Sequence, residues 1–476
     1  MYKKSSLRTI ALVLISIFMM DKLLFTFSYA SSGQEESSRV DYNITRGNGQ
    51  GYEFVQRNYK FNNSSIFYMR RIDYSESTGF YYSSFYIPGN EGVVYWYDGN
   101  RVLQKKQLVE GRLPQESMLF IQTDKYHMIL SQAYNYKDLG RGTKEWMKAG
   151  IHPITIKKFD GRWLVSYKFE KIKNAHGIMW GCGSHNKLID FSNNNIEILW
   201  KAYDADIKAR LCEDGYYYAS PSSYNPSGDN CFWRIPSMYL INSFVKTGGS
   251  LAADIISNAM LHIASSNLNN EGYIPTLPES GWLKGLYGMG PGFFDTRFNT
   301  GAIECYVLAY KKFRINLYRD IYIRLSKYYI NHIENKHYVV KSENDEGWLI
   351  EDYAHNDYPV KTHVSLNHQV AAINLMLMLY FEEKEDKYLD LAMKMLQGVK
   401  NTRKLWVMED GNLHYAYLPD GKMGMKDYPY LTYNDLYLLQ KNLEMLNGKR
   451  DDDIEYLMKE KKKWMDRKKI TGYYKD

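Results

Sequence analysis

Three stretches in the second half of the chain concentrate side chains that can move protons or hold charge. They are Gly290-Pro-Gly-Phe-Phe-Asp-Thr-Arg-Phe-Asn-Thr300, Glu351-Asp-Tyr-Ala-His-Asn-Asp-Tyr-Pro359 and Asp410-Gly-Asn-Leu-His-Tyr-Ala-Tyr417. A tyrosine starts near pKa 10, so acting as a base requires neighbours that stabilise its phenolate. Arg297, in a loop rich in glycine and aromatic residues, has the planar fork that holds a carboxylate with two hydrogen bonds. Lys361 and Arg234 are weaker candidates for that task. Asp295 with Glu351 or Asp427 could supply the carboxyl pair that glycosidic hydrolysis requires. Each residue also has a plainer reading. Asp295 or Asn299 can cap the helix that starts near Thr300, and Glu351 and Asp352 can cap a helix or pair with a lysine. His363, His368 and His414 can be satisfied structural histidines.

The elements that must position these loops change character along the chain. Segments such as 92–100 and 153–167 carry strand-like runs broken by Asp-Gly, which suits hairpin turns. Residues 51–205 therefore read as a mainly β domain, with 123–140 ambiguous and open to a helix. From about residue 236 the apolar period becomes helical, as in Leu251, Ile255, Ile256, Met260 and Ile263. Similar patterns follow at about 300–313, 317–335, 364–382, 386–400, 430–446 and 451–468. Helices arriving in pairs predict antiparallel α-hairpins around an axis. The expected fold is thus β + α: an N-terminal mainly-β domain followed by an (α/α) toroid-like helical domain over 206–476.

The chain ends and composition restrict the partners. Lys3, Lys4 and Arg8, an apolar run from Thr9 to Met20, and Ser28-Tyr29-Ala30 read as a cleaved signal peptide over 1–30. That is preferred to an uncleaved anchor, which would associate the chain with a membrane. Export to the cell envelope, the exterior or a secretory lumen follows. Residues 31–50 read as a polar linker. The formal charge is +7, and losing Lys3, Lys4, Arg8 and Lys22 together with Asp21 lowers it by three. A mildly basic chain of this kind does not read as a nucleic-acid binder, and it does not oppose a polyanion. Four cysteines in an exported chain could pair, although Cys305 sits in a helical pattern and reads as a buried thiol. The 44 tyrosines suit a surface that sugars lie against, or reflect a biased genome.

Three C-terminal segments, taken in order, resemble the C-terminal domain of the D-glucuronyl C5-epimerases. The first is Trp348-Leu-Ile-Glu-Asp-Tyr353, with Val364-Ser-Leu-Asn-His-Gln369 opening a helix that ends at Leu379-Tyr380. The second is Asp410-Gly-Asn-Leu-His-Tyr415, and the third is Lys426-Asp-Tyr-Pro-Tyr-Leu-Thr-Tyr-Asn-Asp-Leu436. The resemblance covers about 240–446. It implies an isomerase that inverts uronic acid residues of an acidic polysaccharide at C5, as from glucuronate to iduronate, without a cofactor. Tyr353, Tyr428 and Tyr415 become the acid/base candidates, with Glu351 a base or the partner of one tyrosine. Arg297, Asp295, Asn367, Lys361, His414 and Tyr417 become the substrate-binding candidates. Two departures stand out: His414, Tyr415 and Tyr417 compete for one aligned position, and the loop from Glu351 to Lys361 differs in sequence and charge.

Removing the C5 proton next to a carboxylate and returning it from the other face requires two groups flanking the ring. A polysaccharide lyase starts with the same abstraction, and a glycoside hydrolase on an α/α scaffold uses a carboxyl pair, so both remain alternatives. A surface carbohydrate-binding protein without catalysis is the third. A structural calcium held by Asp residues and carbonyls of the β region is compatible with the sequence, although no EF-hand loop is present. No nucleotide-binding glycine motif follows a strand. A homodimer is the base-rate expectation for an oligomer.

Overall fold

A computed structural model describes residues 40–115, 117–148, 150–207, 210–343 and 345–475. The expected signal peptide at 1–30 lies outside them. The chain divides into two compact units, one reaching to Asn267 and including Leu308–Asn316, the other comprising Leu268–Val307 and Leu317 onward.

In the first unit β1 (Val40–Gly49) pairs in full register with β2 (Tyr52–Phe61), and β2 with β3 (Ile66–Tyr74). The stretch read as a polar linker is therefore a strand from Val40 on. Its polar side chains face solvent while its main chain is paired. β4 (Phe80–Pro88) follows. The ambiguous stretch 123–140 is also extended, ending in β5 (Tyr134–Gly140). Met128, Ile129 and Leu130 are held between 119–123 and a later strand, so non-local pairing decides a segment whose local pattern does not. Next come β6 (Thr143–Met147), β7 (Thr155–Phe159), β8 (Arg162–Glu170) and β9 (His176–Ser184).

Strand pairing continues past residue 205, where the helical domain was expected to begin. After α1 (Asn194–Ile207), β10 (Leu211–Cys212), β11 (Gly215–Ala219) and β12 (Cys231–Arg234) join a 13-stranded sheet. α2 (Tyr239–Thr247) and α3 (Leu251–Ala264) belong to this unit too, and His262 of α3 bonds the Tyr59 hydroxyl of β2 at 3.2 Å. A four-stranded sheet of β4, β8, β7 and Gly111–Arg112 packs on the larger one. Tyr81, Ile87, Trp163, Val165 and Tyr167 of the smaller sheet meet Tyr68, Ile72, Ile121, Leu130 and Met179 of the larger in one core. Burying each of the aliphatic side chains contributes about 1.5–3 kcal/mol. Cys182, Cys212, Cys231 and Cys305 are all buried free thiols.

The second unit opens with the short α4 (Gly281–Tyr287) and β13 (Phe294–Asp295). It then runs through α5 (Thr296–Phe313), α6 (Asn316–Asn335), the hairpin β14 (His337–Lys341) and β15 (Glu346–Ile350), β16 (Tyr353–Ala354) and β17 (Val364–Ser365). α7 (Leu366–Glu383), α8 (Asp386–Thr402), β18 (His414–Tyr417), β19 (Met423–Lys426), α9 (Leu431–Asn447) and α10 (Asp452–Arg467) complete it. The helices form at the positions their apolar periods predict. α7 is buried without a break from Leu366 to Ile373, the mark of an inner helix. α8 buries Tyr388, Leu391, Ala392, Met395, Leu396 and Val399, one stripe of an outer helix. This is the inner and outer alternation of α/α hairpins. α5, α7 and α9 each stop on a residue with positive φ (Arg314, Lys384, Gly448), whose N–H returns to a carbonyl four residues back. Among the described residues no helix is long and apolar enough to cross a membrane.

Candidate active site

The N-terminal ends of α5, α7 and α9 are tied together by one side chain. Arg297 of α5 donates to both carboxylate oxygens of Asp435 of α9, at 3.0 Å each, and to the Asn367 carbonyl of α7 at 3.2 Å. Short strand pairs join the loops at this end: Asp295 lies opposite Tyr353, and Ser365 opposite Ala416. The segment leading into Asp352 is fixed from behind. Gly347 and Gly398 bring β15 and α8 into main-chain contact, and a Cβ on Gly398 would stand 2.2 Å from the Trp348 carbonyl oxygen. Gln369 accepts from Ile350 N at 2.9 Å and donates to the Trp348 and Met395 carbonyls.

His363 and Asp352 are fully buried at the centre. Asp352 accepts from the Ser365 main-chain N–H at 2.9 Å and from its hydroxyl at 2.5 Å. His363 Nε2, buried and without a hydrogen-bond partner, stands 3.3 Å from Asp352 Oδ2. That carboxylate favours the ring proton on Nε2 and leaves Nδ1 to accept. Nδ1 is 2.7 Å from the hydroxyl of Tyr287, which also accepts from the His363 main-chain N–H at 3.2 Å. Tyr287 is half-buried at the last turn of α4. Burial raises its pKa, with Asp352 and Glu351 adding to the rise and the His363 N–H opposing it. At neutral pH it is therefore a neutral phenol, hydrogen-bonded to His363.

Aromatic rings enclose His363: Trp282, Tyr353 and Tyr415 lie 5.1, 5.6 and 5.8 Å away by ring centroids. Tyr415 meets Tyr428 edge-on at 5.6 Å. The three tyrosines named from sequence are thus linked through His363 and through one another. Burial pushes the Tyr415 hydroxyl well above its ordinary range, and Tyr428 and Asp352 push it further. It too is a proton donor rather than a standing phenolate. His368, 2.8 Å from the Thr296 hydroxyl, is pushed down to about 4 by burial and stays neutral.

The other sequence candidates have different duties. Arg297, read as a clamp for a substrate carboxylate, is bound to Asp435. Asp295 caps α5 by accepting from Phe298 N at 2.9 Å. Its carboxyl, 3% exposed, is raised to about 7 by burial, with Asp352 contributing. Glu351 is buried, accepts from Thr362 N at 2.8 Å and has its pKa raised by burial. Through that bond Glu351, read as a base or as the partner of one tyrosine, braces the 351–362 loop. Asn367 presents a buried Oδ1 with no hydrogen-bond partner. Lys361 is exposed and lies over the Tyr338 ring at 5.2 Å, and Tyr417 packs on the same ring. His414 holds a buried Nδ1 without a hydrogen-bond partner and precedes Tyr415 in the chain. Asp427 forms a fully buried pair with Lys461 at 2.7 Å and is structural. Among the described residues no group of three or more His, Cys, Asp or Glu is placed to hold a metal ion.

Tyr287 is the residue that sequence reading missed. Its signal was the run Lys284-Gly-Leu-Tyr-Gly-Met-Gly-Pro-Gly292, in which one aromatic hydroxyl sits among glycines. Nothing local distinguishes it from the other tyrosines.

No protein-family model matches the chain, and no curated protein matches it. Among solved structures it is similar to a D-mannose isomerase, at 16% identity over 58% of this chain and 71% of that one, with a TM-score of 0.41. It is similar to the cellobiose 2-epimerase of Bacillus thermoamylovorans (13% identity, 49% of this chain and 59% of that one, TM-score 0.38). It is also similar to a family 76 glycoside hydrolase from a Bacteroides thetaiotaomicron strain (10% identity, 90% and 78%, TM-score 0.41). Overlaps of this extent decide nothing about chemistry, which rests on the site's own residues.

Proposed function

We propose that the chain is an extracytoplasmic, cofactor-independent enzyme that moves the C5 proton of uronic acid residues in an acidic polysaccharide, as a C5-epimerase does. The observation that carries this reading is the chain Tyr287–His363–Asp352, ending on a half-buried hydroxyl, with Tyr415 against the His363 ring and Tyr428 against Tyr415. Because burial disfavours a free phenolate, the proton does not stop on Tyr287. As the substrate's C5–H bond breaks toward the Tyr287 oxygen, the Tyr287 proton passes to His363 Nδ1, and the imidazolium that forms faces Asp352. The electron pair left behind moves into the substrate carboxylate. The His363 main-chain N–H supports the negative charge on the Tyr287 oxygen during transfer. Tyr415, kept neutral and in contact with Tyr428, returns a proton to C5 from the other face. With Arg297 bound to Asp435, Lys361, two residues from His363, is the cation assigned to the substrate carboxylate. The leader-like segment over 1–30 supports the location.

A second reading has its own observation. Asp295 stays protonated up to about pH 7, the state of a general acid in glycoside hydrolysis. One experiment separates the readings: proton NMR of glucuronate, mannuronate and galacturonate polymers incubated with the protein in deuterated water. The C5–H signal of an unbroken chain is expected to disappear. New unsaturated-uronate signals would reassign the site to a lyase. Chain cleavage without exchange, abolished in Asp295→Asn, would establish the hydrolase, and no change in any polymer would sink proton transfer at C5.

A further inference from the structure

In the first unit, β4 turns Tyr81, Ser83 and Ile87 into the core and Phe80, Tyr82 and Tyr86 outward. The outward rings remain 40, 62 and 44% exposed. Across the sheet, Lys168 of β8 stands opposite Tyr82, and Arg162 of β8 stands opposite Phe159 of β7, itself 51% exposed. Lys168 Nζ lies 3.7 Å from the Phe80 ring centroid. The Arg162 guanidinium lies 4.2 Å from that of Tyr86 and 5.7 Å from that of Phe159. Neither cation makes an ion pair among the described residues. The rings form two pairs on one face, Phe80 with Tyr82 and Tyr86 with Phe159, and exposed aromatic rings of this kind mark an interaction surface rather than a stabilising feature. A guanidinium stacked on a ring keeps its in-plane N–H groups free to grip a carboxylate.

We propose that this face is a second, non-catalytic site that holds an anionic polysaccharide. Its rings pack on the C–H faces of pyranose units, and Arg162 and Lys168 pair with the carboxylate or sulfate groups. The pairing of opposite charge selects an anionic chain over a neutral one. Among the described residues β4 pairs along one edge, with β8. A groove of about 650 Å³ runs beside it, lined in part by Gln56, Asn58 and Ser84, whose amides and hydroxyl suit sugar hydroxyls. The proposed function supplies only the polymer class, and the site stands or falls separately from turnover.

The test is affinity electrophoresis of the full chain through gels containing polyglucuronate, polygalacturonate or neutral mannan. The anionic gels are expected to retard the protein. Retardation should fall about tenfold in Tyr82→Ala/Tyr86→Ala, persist in Tyr82→Phe/Tyr86→Phe, and lose its salt dependence in Arg162→Gln/Lys168→Gln. Tyr287→Phe should leave retardation unchanged, so a failed catalytic reading is scored apart. The proposal is overturned by no retardation in the anionic gels, by equal retardation in mannan, or by undiminished retardation in the alanine double variant. Self-association of the wild type that the alanine variant abolishes would also overturn it, assigning the face to a second copy of the chain.

Discussion

Both units bury a histidine among carboxylates, but the two surroundings lead to opposite behaviour. In the β unit, His176 Nε2 lies 3.3 Å from Lys144 Nζ, and Nδ1 lies 3.5 Å from Asp138. Lys144 and Arg71 both bond Glu213 Oε1, at 2.6 and 2.5 Å, and Arg71 continues to Asp73 and Asp138. Burial alone would raise the Glu213 pKa, yet Lys144, His176 and Arg71 outweigh it and hold the carboxyl well below the usual range. Burial and Lys144 push His176 down to about 4. Each charge there has a counter-charge, with Asp138 at the solvent edge of the network and Glu213 Oε2 buried without a hydrogen-bond partner. In the helical unit the chain from Asp352 through His363 ends instead on a half-buried hydroxyl. Paired charges hold strands together, whereas a chain ending on a hydroxyl is the arrangement on which the proposed proton transfer rests.

Tyr287→Phe is the sharpest test of that contrast and carries the largest expected effect. It removes one oxygen from the open end, so turnover should fall about 10²- to 10⁴-fold while the thermal midpoint hardly moves. Steady-state kinetics with a melting curve on the same preparation checks it, and a variant that keeps full rate would break the comparison.

Lys144→Met should do the reverse. Removing the buried partner leaves Glu213 with Arg71 alone and costs up to about 3–5 kcal/mol. Denaturant unfolding should show that loss, with turnover per folded molecule unchanged.

A smaller effect is expected from Asp295→Asn, and its sign depends on pH. The folded-state pKa of Asp295, about 7, lies above the ordinary 3.8. The folded chain therefore binds the proton more tightly, and this contribution is complete below pH 4 and is lost as pH rises through 7. Asparagine can still cap α5. The variant should thus gain stability over the wild type, by up to a few kcal/mol, as pH rises from 4 to 8. Melting curves across that range would show the gap widen; a gap that narrows would mean that Asp295 is ionised in the folded protein.

The helices were legible because their signal is local. An apolar stripe recurring every three or four residues needs no distant partner, and α5 to α10 begin and end within a few residues of the positions the pattern marks. Strands were harder, because their pairing partners lie far along the chain. The stretch 123–140 and the run after Val40 became strands only through pairing, and β10 to β12 extended the sheet past residue 205 for the same reason. Tyr353, Tyr415 and Tyr428 were named because ordered motifs surround them, and ring contacts through His363 bring them together.

By itself, then, the sequence determined the order of β and helical regions, the boundaries of α5 to α10 and the loops that carry reactive side chains, all set by local periodicity and turn chemistry. Tertiary structure alone decided which side chains meet. Tyr287 finds His363 across 76 residues, and Arg297 is taken by Asp435 across 138. Hydrogen-bond and charge partners are chosen by proximity after folding, and spacing along the chain does not encode that proximity.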